Sequence, residues 1–402
     1  MQSPFKDLPR EVSILVAASF FVAVGFGIVL PAIPVFAKSF GVSNTAIGLI
    51  VSSFAIVRFA SGLISGKLVD LFGERAVFST GVVMVSVFTF LAGLSTNYHQ
   101  LLIFRSAGGL GSSMFSVAAG SVIMRSVDDA HRGRAQSVYN GAFLLGGISG
   151  PAIGGLLSTI SLRAPFFSYS ALLLVSGVVA LLFLKGDHIG KKEKSLETSS
   201  HTTIREALAM KPYRIALVIA FLANWVFFGM RSSILPIFVT EDLHSTTAVV
   251  GYGFAISAIF QGFLLMRAGR LSDVQGRKIA SVIGSSIGLV GVLVLTFAVH
   301  PWMYLISMAV IGIGGAYLST TPASIVGDVI HGKGGQVIAI FQMAGDAGMI
   351  IGPIIIGWLS DLYSYRTAFA ASAAVFTVAV FLATQIPETR KSKDSLGLLE
   401  QI

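Results

Sequence analysis

Four charged side chains stand inside stretches of this sequence that are otherwise hydrocarbon: Asp346, Arg58, Arg105 and Arg231. A charge at the centre of a bilayer costs several kcal/mol, so each asks for a partner or a task. Asp346 is the one acidic residue of 19 deep within an apolar run; Asp328 falls at the end of another, and the rest lie in loops, tails or run ends. A desolvated carboxyl group there is suited to carrying a proton. It equally suits an ion pair with an arginine or a helix end, made for packing, and residue type leaves both readings open. Arg58 lies about two turns from the end of its run, where a long side chain snorkels to the surface in a structural role. Arg105 lies five residues into its run, and snorkelling is open to it too. Arg231 suits contact with an anionic ligand or a pair with Asp346. Asn140, Asn224, Trp225, Phe228, Tyr317 and Gln342 are the other polar or aromatic side chains placed to line a cavity between helices.

Other chemistries are poorly provided for. There is no cysteine, which excludes disulfides, thiolate metal sites and cysteine nucleophiles. All 7 histidines fall in loops, tails or run ends, and no H-x-x-x-H pair occurs, so no metal site and no enzymatic centre is expected. No G-x-x-x-x-G-K-[ST] loop is present, so ATP does not act directly, and no cofactor is expected.

The elements that must hold these residues are membrane helices. Apolar residues make up 54% of the 402 and charged residues 12%, about half the share of a soluble domain, with a mean hydropathy of +0.82. A bilayer core takes about 20 apolar helical residues to cross. Twelve runs qualify: 11–36, 44–65, 76–95, 100–124, 136–158, 165–184, 215–239, 248–266, 279–299, 302–326, 335–359 and 367–386. An all-α membrane protein of two six-helix bundles is expected, 1–184 and 215–402, joined by the polar, charged segment 185–214. With both termini cytoplasmic, Lys38, Arg163 and Arg366 are the only basic residues of 28 left in loops on the far side. That bias obeys the positive-inside rule and supports the count of twelve. It also explains the net charge of +9 without a nucleic-acid partner.

The two halves repeat each other. GKLVDLFGER (66–75) returns as GRLSDVQGRK (269–278), GIVLPAIPVF (27–36) as SSILPIFV (232–239), and GISGPAIGG (147–155) as MIIGPIIIG (349–357). Asp70 and Asp273 are 203 residues apart, Pro31 and Pro236 205, Pro151 and Pro353 202. One common offset marks an internal duplication, and an even-numbered unit in tandem gives halves related by an axis along the membrane normal. In each decapeptide the first glycine (Gly66, Gly269) and the aspartate (Asp70, Asp273) share a helix face. The glycine is expected to let a neighbouring helix approach, and the carboxylate to meet that helix's N-terminus. Gly73 and Gly276 suit a tight turn, followed by Arg75, Arg277 and Lys278.

G-x-L-x-D-x-x-G-[RE]-[RK] resembles the loop 2–3 signature of the major facilitator superfamily, present here twice. LLIFRSAGGLGSS (101–113) is similar to that superfamily's fourth-helix motif, with Arg105 at its arginine and Gly108 where glutamine is common. Gly146, Gly150, Pro151, Gly154 and Gly155 resemble the fifth-helix antiporter motif. GIVLPAIP and the closing PETR (387–390) also fit twelve-helix drug:proton antiporters. The resemblance implies a monomeric, multi-pass exporter of the cytoplasmic (inner) membrane, exchanging a small-molecule substrate for protons as two halves rock. It implies that Asp70 latches the halves on the cytoplasmic side, that the fifth-helix motif packs on the eighth helix, and that Arg105 takes part in proton coupling. A uniporter or proton symporter importing a sugar, organic anion or other metabolite is the alternative. Glu74, where a basic residue is usual, implies a weaker or differently partnered first latch.

Overall fold

A computed structural model describes residues 9–127, 129–184, 202–330 and 335–389. Its membrane-length helices are α1 (Arg10–Lys38), α2 (Asn44–Ala60 and Gly62–Phe72), α3 (Glu74–Leu94), α4 (Tyr98–Ser126), α5 (Asp129–Ile160) and α6 (Ala164–Phe183) in the first half. The second half holds α7 (Lys211–Glu241), α8 (Thr247–Gln275), α9 (Arg277–Thr296), α10 (Pro301–Val329), α11 (Gly335–Leu362) and α12 (Tyr365–Thr384). Eleven are long and apolar enough to cross a bilayer as they stand, and α2 makes the twelfth if its two pieces, bent by 48°, form one span. The bend falls at Ser61–Gly62, where the Ser61 hydroxyl donates to the Val57 carbonyl at 2.7 Å and competes with the helical ladder. The segment expected as a linker is partly helical: Thr203 caps a short helix, Ile204–Ala209, and Lys211–Arg214 already form the first turn of α7.

Each half has its own core. One gathers buried residues from Val12 to Leu184, joined by Ile237 of α7; the other runs from Ala207 to Ile386. The duplication is visible atom by atom. A Cβ on Gly150 of α5 would stand 2.7 Å from the Gly27 Cα of α1, and one on Gly352 of α11 would stand 3.0 Å from the Gly229 Cα of α7. Gly27 and Gly229 are 202 residues apart, whereas the prolines that follow are 205 apart. Three additional residues therefore lie between Gly229 and Pro236. The wide turns of a π-helix, Trp225–Ile234, accommodate them. Met230–Ile234, with Arg231 in it, replaces the two residues Ile28 and Val29 of the first half.

The decapeptide turns match in backbone and differ in partners. Gly73 and Gly276 adopt φ of 80° and 115°, values that L side chains avoid. In the second copy Arg277 is buried, pairs with Asp273 and binds Asp328 Oδ2 through Nε at 2.9 Å. Thr389 donates to Asp328 at 2.8 Å, and Glu388 accepts from the Arg277 N–H at 2.9 Å, so the closing PETR segment is fastened to this turn. In the first copy the corresponding position is Glu74, which is buried and accepts from Ser121 Oγ of α4 at 2.9 Å, while Arg75 Nε donates to the Leu181 carbonyl at 2.9 Å. The two copies of the decapeptide are therefore differently partnered.

Candidate functional site

The two ends of the molecule are in opposite conditions. At the end away from the decapeptides the halves are sealed by two pseudo-equivalent crossings. On α5, a Cβ at Gly155 would stand 2.9 Å from the Gly251 Cα and 2.7 Å from the Thr247 carbonyl oxygen of α8. Opposite, a Cβ at Gly357 of α11 would stand 2.8 Å from the Asn44 carbonyl carbon of α2. Asp361 then crosses between halves to cap α2, accepting from the Asn44 and Thr45 N–H groups at 2.8 Å each and from Thr45 Oγ1 at 2.6 Å. Lys38 and Glu241 add an ion pair at 3.8 Å. At the decapeptide end the halves stand apart. A Cβ on Gly66 or Gly269 would meet nothing within 4 Å, and Leu63 and Met266 are more than four-fifths exposed. The close helix approach expected at these glycines is absent in this arrangement, in which nothing packs on them. Asp70 lies exposed, and Asp273 is paired with Arg277 of its own turn rather than with a helix N-terminus.

Between the ends the described residues line three recesses that share walls. The first, about 290 Å³, is lined by Phe26, Phe54, Arg58, Arg105, Tyr169 and Phe228 among others. The second, about 260 Å³, holds Asn224, Phe227, Phe228, Arg231, Gln261 and Ser319. The third, about 340 Å³, holds Arg58, Asn224, Phe341, Gln342 and Asp346. Arg58, Asn224 and Phe228 each line two of the three, so these are lobes of one central cavity contributed by both halves. Arg105 is held there by local packing. A Cβ on Gly109 would stand 2.5 Å from the Phe54 carbonyl, so α4 lies against α2 and sets the Arg105 guanidinium 4.6 Å from the Phe54 ring centre. Arg105 is 5% exposed, and its Nε has no hydrogen-bond partner among the described residues. Arg231 lies over the Phe254 ring at 4.9 Å, with Nη1 3.4 Å from Ser257 Oγ and Nε again without a partner.

This plan, twelve helices in two duplicated bundles around one cavity, is shared by known proteins. The sequence model described as Major Facilitator Superfamily matches residues 15–238 and again 217–399. The chain belongs to that superfamily. It is 25% identical to multidrug resistance protein 1 of Bacillus subtilis over 389 residues, 94% of this chain and 97% of that one. It is 24% identical to the quinolone resistance protein NorA of Staphylococcus aureus over 366 residues, 88% and 91% of the two chains. A bacterial homologue of the human lysosomal transporter Spinster has the same fold, with a TM-score of 0.80 at 16% identity over 96% of this chain and 99% of that one. As a member of the superfamily the protein is a membrane-embedded transporter of small molecules, similar to the drug:proton antiporters, and not an enzyme.

Of the residues singled out by sequence, Asn224, Phe228, Arg231, Gln342, Arg105 and Asp346 line the superfamily-type cavity. Trp225 and Tyr317 do not line its three lobes: Tyr317 turns away, and a Cβ on Gly284 of α9 would stand 2.6 Å from its Cβ. The Asn140 side chain lies outside the described residues. Arg231 and Asp346 occupy different lobes, so the pair considered for them is not formed. The arginine that shares a lobe with Asp346 is Arg58 of the other half, which sequence reasoning assigned a structural role at the surface. Its four-residue step from Phe54 puts both on one face of α2.

The fifth-helix motif also divides differently from expectation. Gly146, Gly150 and Gly154 form one stripe against Ala23, Gly27 and Ile28 of α1, within the same half. Gly155, with the Pro151 carbonyl, forms the neighbouring stripe, which alone meets α8. Asp361 was not singled out, because it reads as an ordinary polar residue at a helix end. Replacing it, Asp361→Ala, removes a cap worth about 1 kcal/mol and is expected to favour opening of the sealed end about fivefold. The chain has no cysteine, so the distance between spin labels on cysteines introduced at Ser39 and Tyr363, exposed on either half at this end, reads this opening without background. An unchanged distance would show that the cap does not hold the seal.

Proposed function

We propose that this protein exports small lipophilic molecules across the cytoplasmic membrane by alternating access, in exchange for protons. The observation that carries this is Asp346, facing Arg58 across the α2–α11 interface in a cavity shut at one end and open at the other. The basic-residue bias supports a cytoplasmic decapeptide end and cytoplasmic termini, and with them a cavity open inward. Residues 1–184 and 215–402 rock as two bodies of a monomer about this site. Asp70 latches the decapeptide end when it closes, as the seal at Gly155 and Gly357 parts. The names of the relatives, multidrug and quinolone resistance proteins, support a drug-like substrate and outward transport.

The test is movement of lipophilic dyes of both charges, cationic ethidium and anionic 1-pyrenebutyrate, in inverted membrane vesicles with an acidified lumen. Dye accumulates while the gradient stands and leaves when a protonophore is added. Dye that instead follows protons out of the lumen replaces antiport with symport, and accumulation indifferent to the protonophore removes proton coupling altogether.

A further inference from the structure

The described residues lining the central cavity carry three guanidiniums, Arg58, Arg105 and Arg231, against one carboxylate, Asp346. Asp346 shares its lobe with Arg58, which leaves Arg105 and Arg231 without an opposite charge among the described residues. Burying an unpaired cation is costly, and a ring face recovers only part of that cost. Arg105 is nevertheless 95% buried, has an Nε with no acceptor, and borders a lobe otherwise walled by apolar and aromatic side chains. Arg231 repeats the situation across Phe228, the side chain common to both lobes, and it sits in the one stretch of α7 that the first half lacks. Two guanidiniums held in apolar walls with donors unspent are a binding site whose partner arrives with the ligand.

We propose that the cavity selects lipophilic organic anions, seating a carboxylate on Arg105 and the hydrocarbon or aromatic body against Phe26, Phe54 and Phe228. The planar donor fork of arginine suits a carboxylate, and the aromatic wall supplies burial without specifying shape. Arg231, on the other side of Phe228, adds long-range attraction and takes a second acidic group where the molecule has one. This assignment deepens the export reading and rests on the cavity being the transport site.

Three probes with one body separate the charge from the hydrocarbon: 2-naphthoate, neutral 2-naphthylmethanol and cationic 2-naphthylmethylamine. Equilibrium binding to the purified full chain is expected to rank the carboxylate first and the amine last. Arg105→Gln weakens the carboxylate about tenfold or more, the effect of losing hydrogen bonds to a charged group, and leaves the alcohol unchanged. Arg105→Lys keeps the charge and restores part of the preference. Equal binding of the three probes overturns the proposal. So does a loss in Arg105→Gln that is the same for all three, since that marks a packing role for Arg105. Ethidium transport distinguishes the two readings: movement driven by the proton gradient with no preference for naphthoate removes the anion site and leaves export standing. Preferential naphthoate binding with no gradient-driven movement of any probe keeps the site and removes export.

Discussion

Asp346→Asn is expected to abolish concentrative transport while leaving the path open. A gradient of one pH unit is worth about 1.4 kcal/mol per proton, enough to hold substrate about tenfold above equilibrium. If Asp346 carries that proton, the amide variant, equal in size but unable to cycle a proton, brings the ratio of substrate across the vesicle membrane to one. Exchange of labelled for unlabelled substrate without a gradient continues, because Asn224, Phe228 and the other cavity walls are untouched. The competing role, a structural charge held near Arg58 for packing, predicts the reverse pattern. Losing that charge would then lower thermal stability and expression, while whatever folded would still accumulate substrate. The accumulation ratio at a fixed gradient decides between them, and a variant that still holds tenfold sinks the carrier role.

The fold was legible because membrane physics leaves few solutions. Twelve apolar runs and three motifs repeated at nearly one offset point to the helix count and the duplication before any contact is known, and basic loops on one side give an expected orientation. Cavity geometry was less legible, for a definite reason. Helices that are apolar all round carry little periodic signal to set their rotation, so Trp225 and Phe228 look alike in sequence although Phe228 lines two of the three lobes and Trp225 none of them. The spacing of the fifth-helix motif did hold its answer: Gly146, Gly150 and Gly154 step by four, while Gly155 is one residue, about 100°, further round. The π-helix of α7 was also announced, by an offset of 205 at the prolines against 202 at Gly229, but its effect on Arg231 requires three dimensions. Asp361 and Arg58 escaped because both meet the other half, and no local pattern reports a partner 317 residues away or a recess shared with a residue 288 away.

Gly251→Leu is expected to arrest the transporter with its sealed end open. In the sealed arrangement a Cβ at Gly251 already stands 2.9 Å from the Gly155 Cα, so the obstructing atoms are backbone and cannot rotate away. Overpacking of this kind costs about 1–3 kcal/mol where side chains yield, and more where only helices can move. That cost falls on one conformation. When the halves part at this end the leucine faces open space, so folding survives and the equilibrium shifts toward the open form by at least about tenfold to a hundredfold. Spin labels on cysteines introduced at Ser39 and Tyr363, one in each half at this end, should show a longer distance, with transport lost. An unchanged distance and full transport would mean that the crossing does not close during the cycle. The duplication supplies an independent check, because Gly48 lies 203 residues earlier and faces Pro353 of α11, whose carbonyl carbon would stand 2.7 Å from its Cβ. Gly48→Leu should therefore produce the same arrest from the other side of the pseudo-twofold axis. If only one of the two leucines arrests transport, the crossings are unequal gates despite their matching backbones, and Asp361, which caps α2 alone, is the asymmetry to examine.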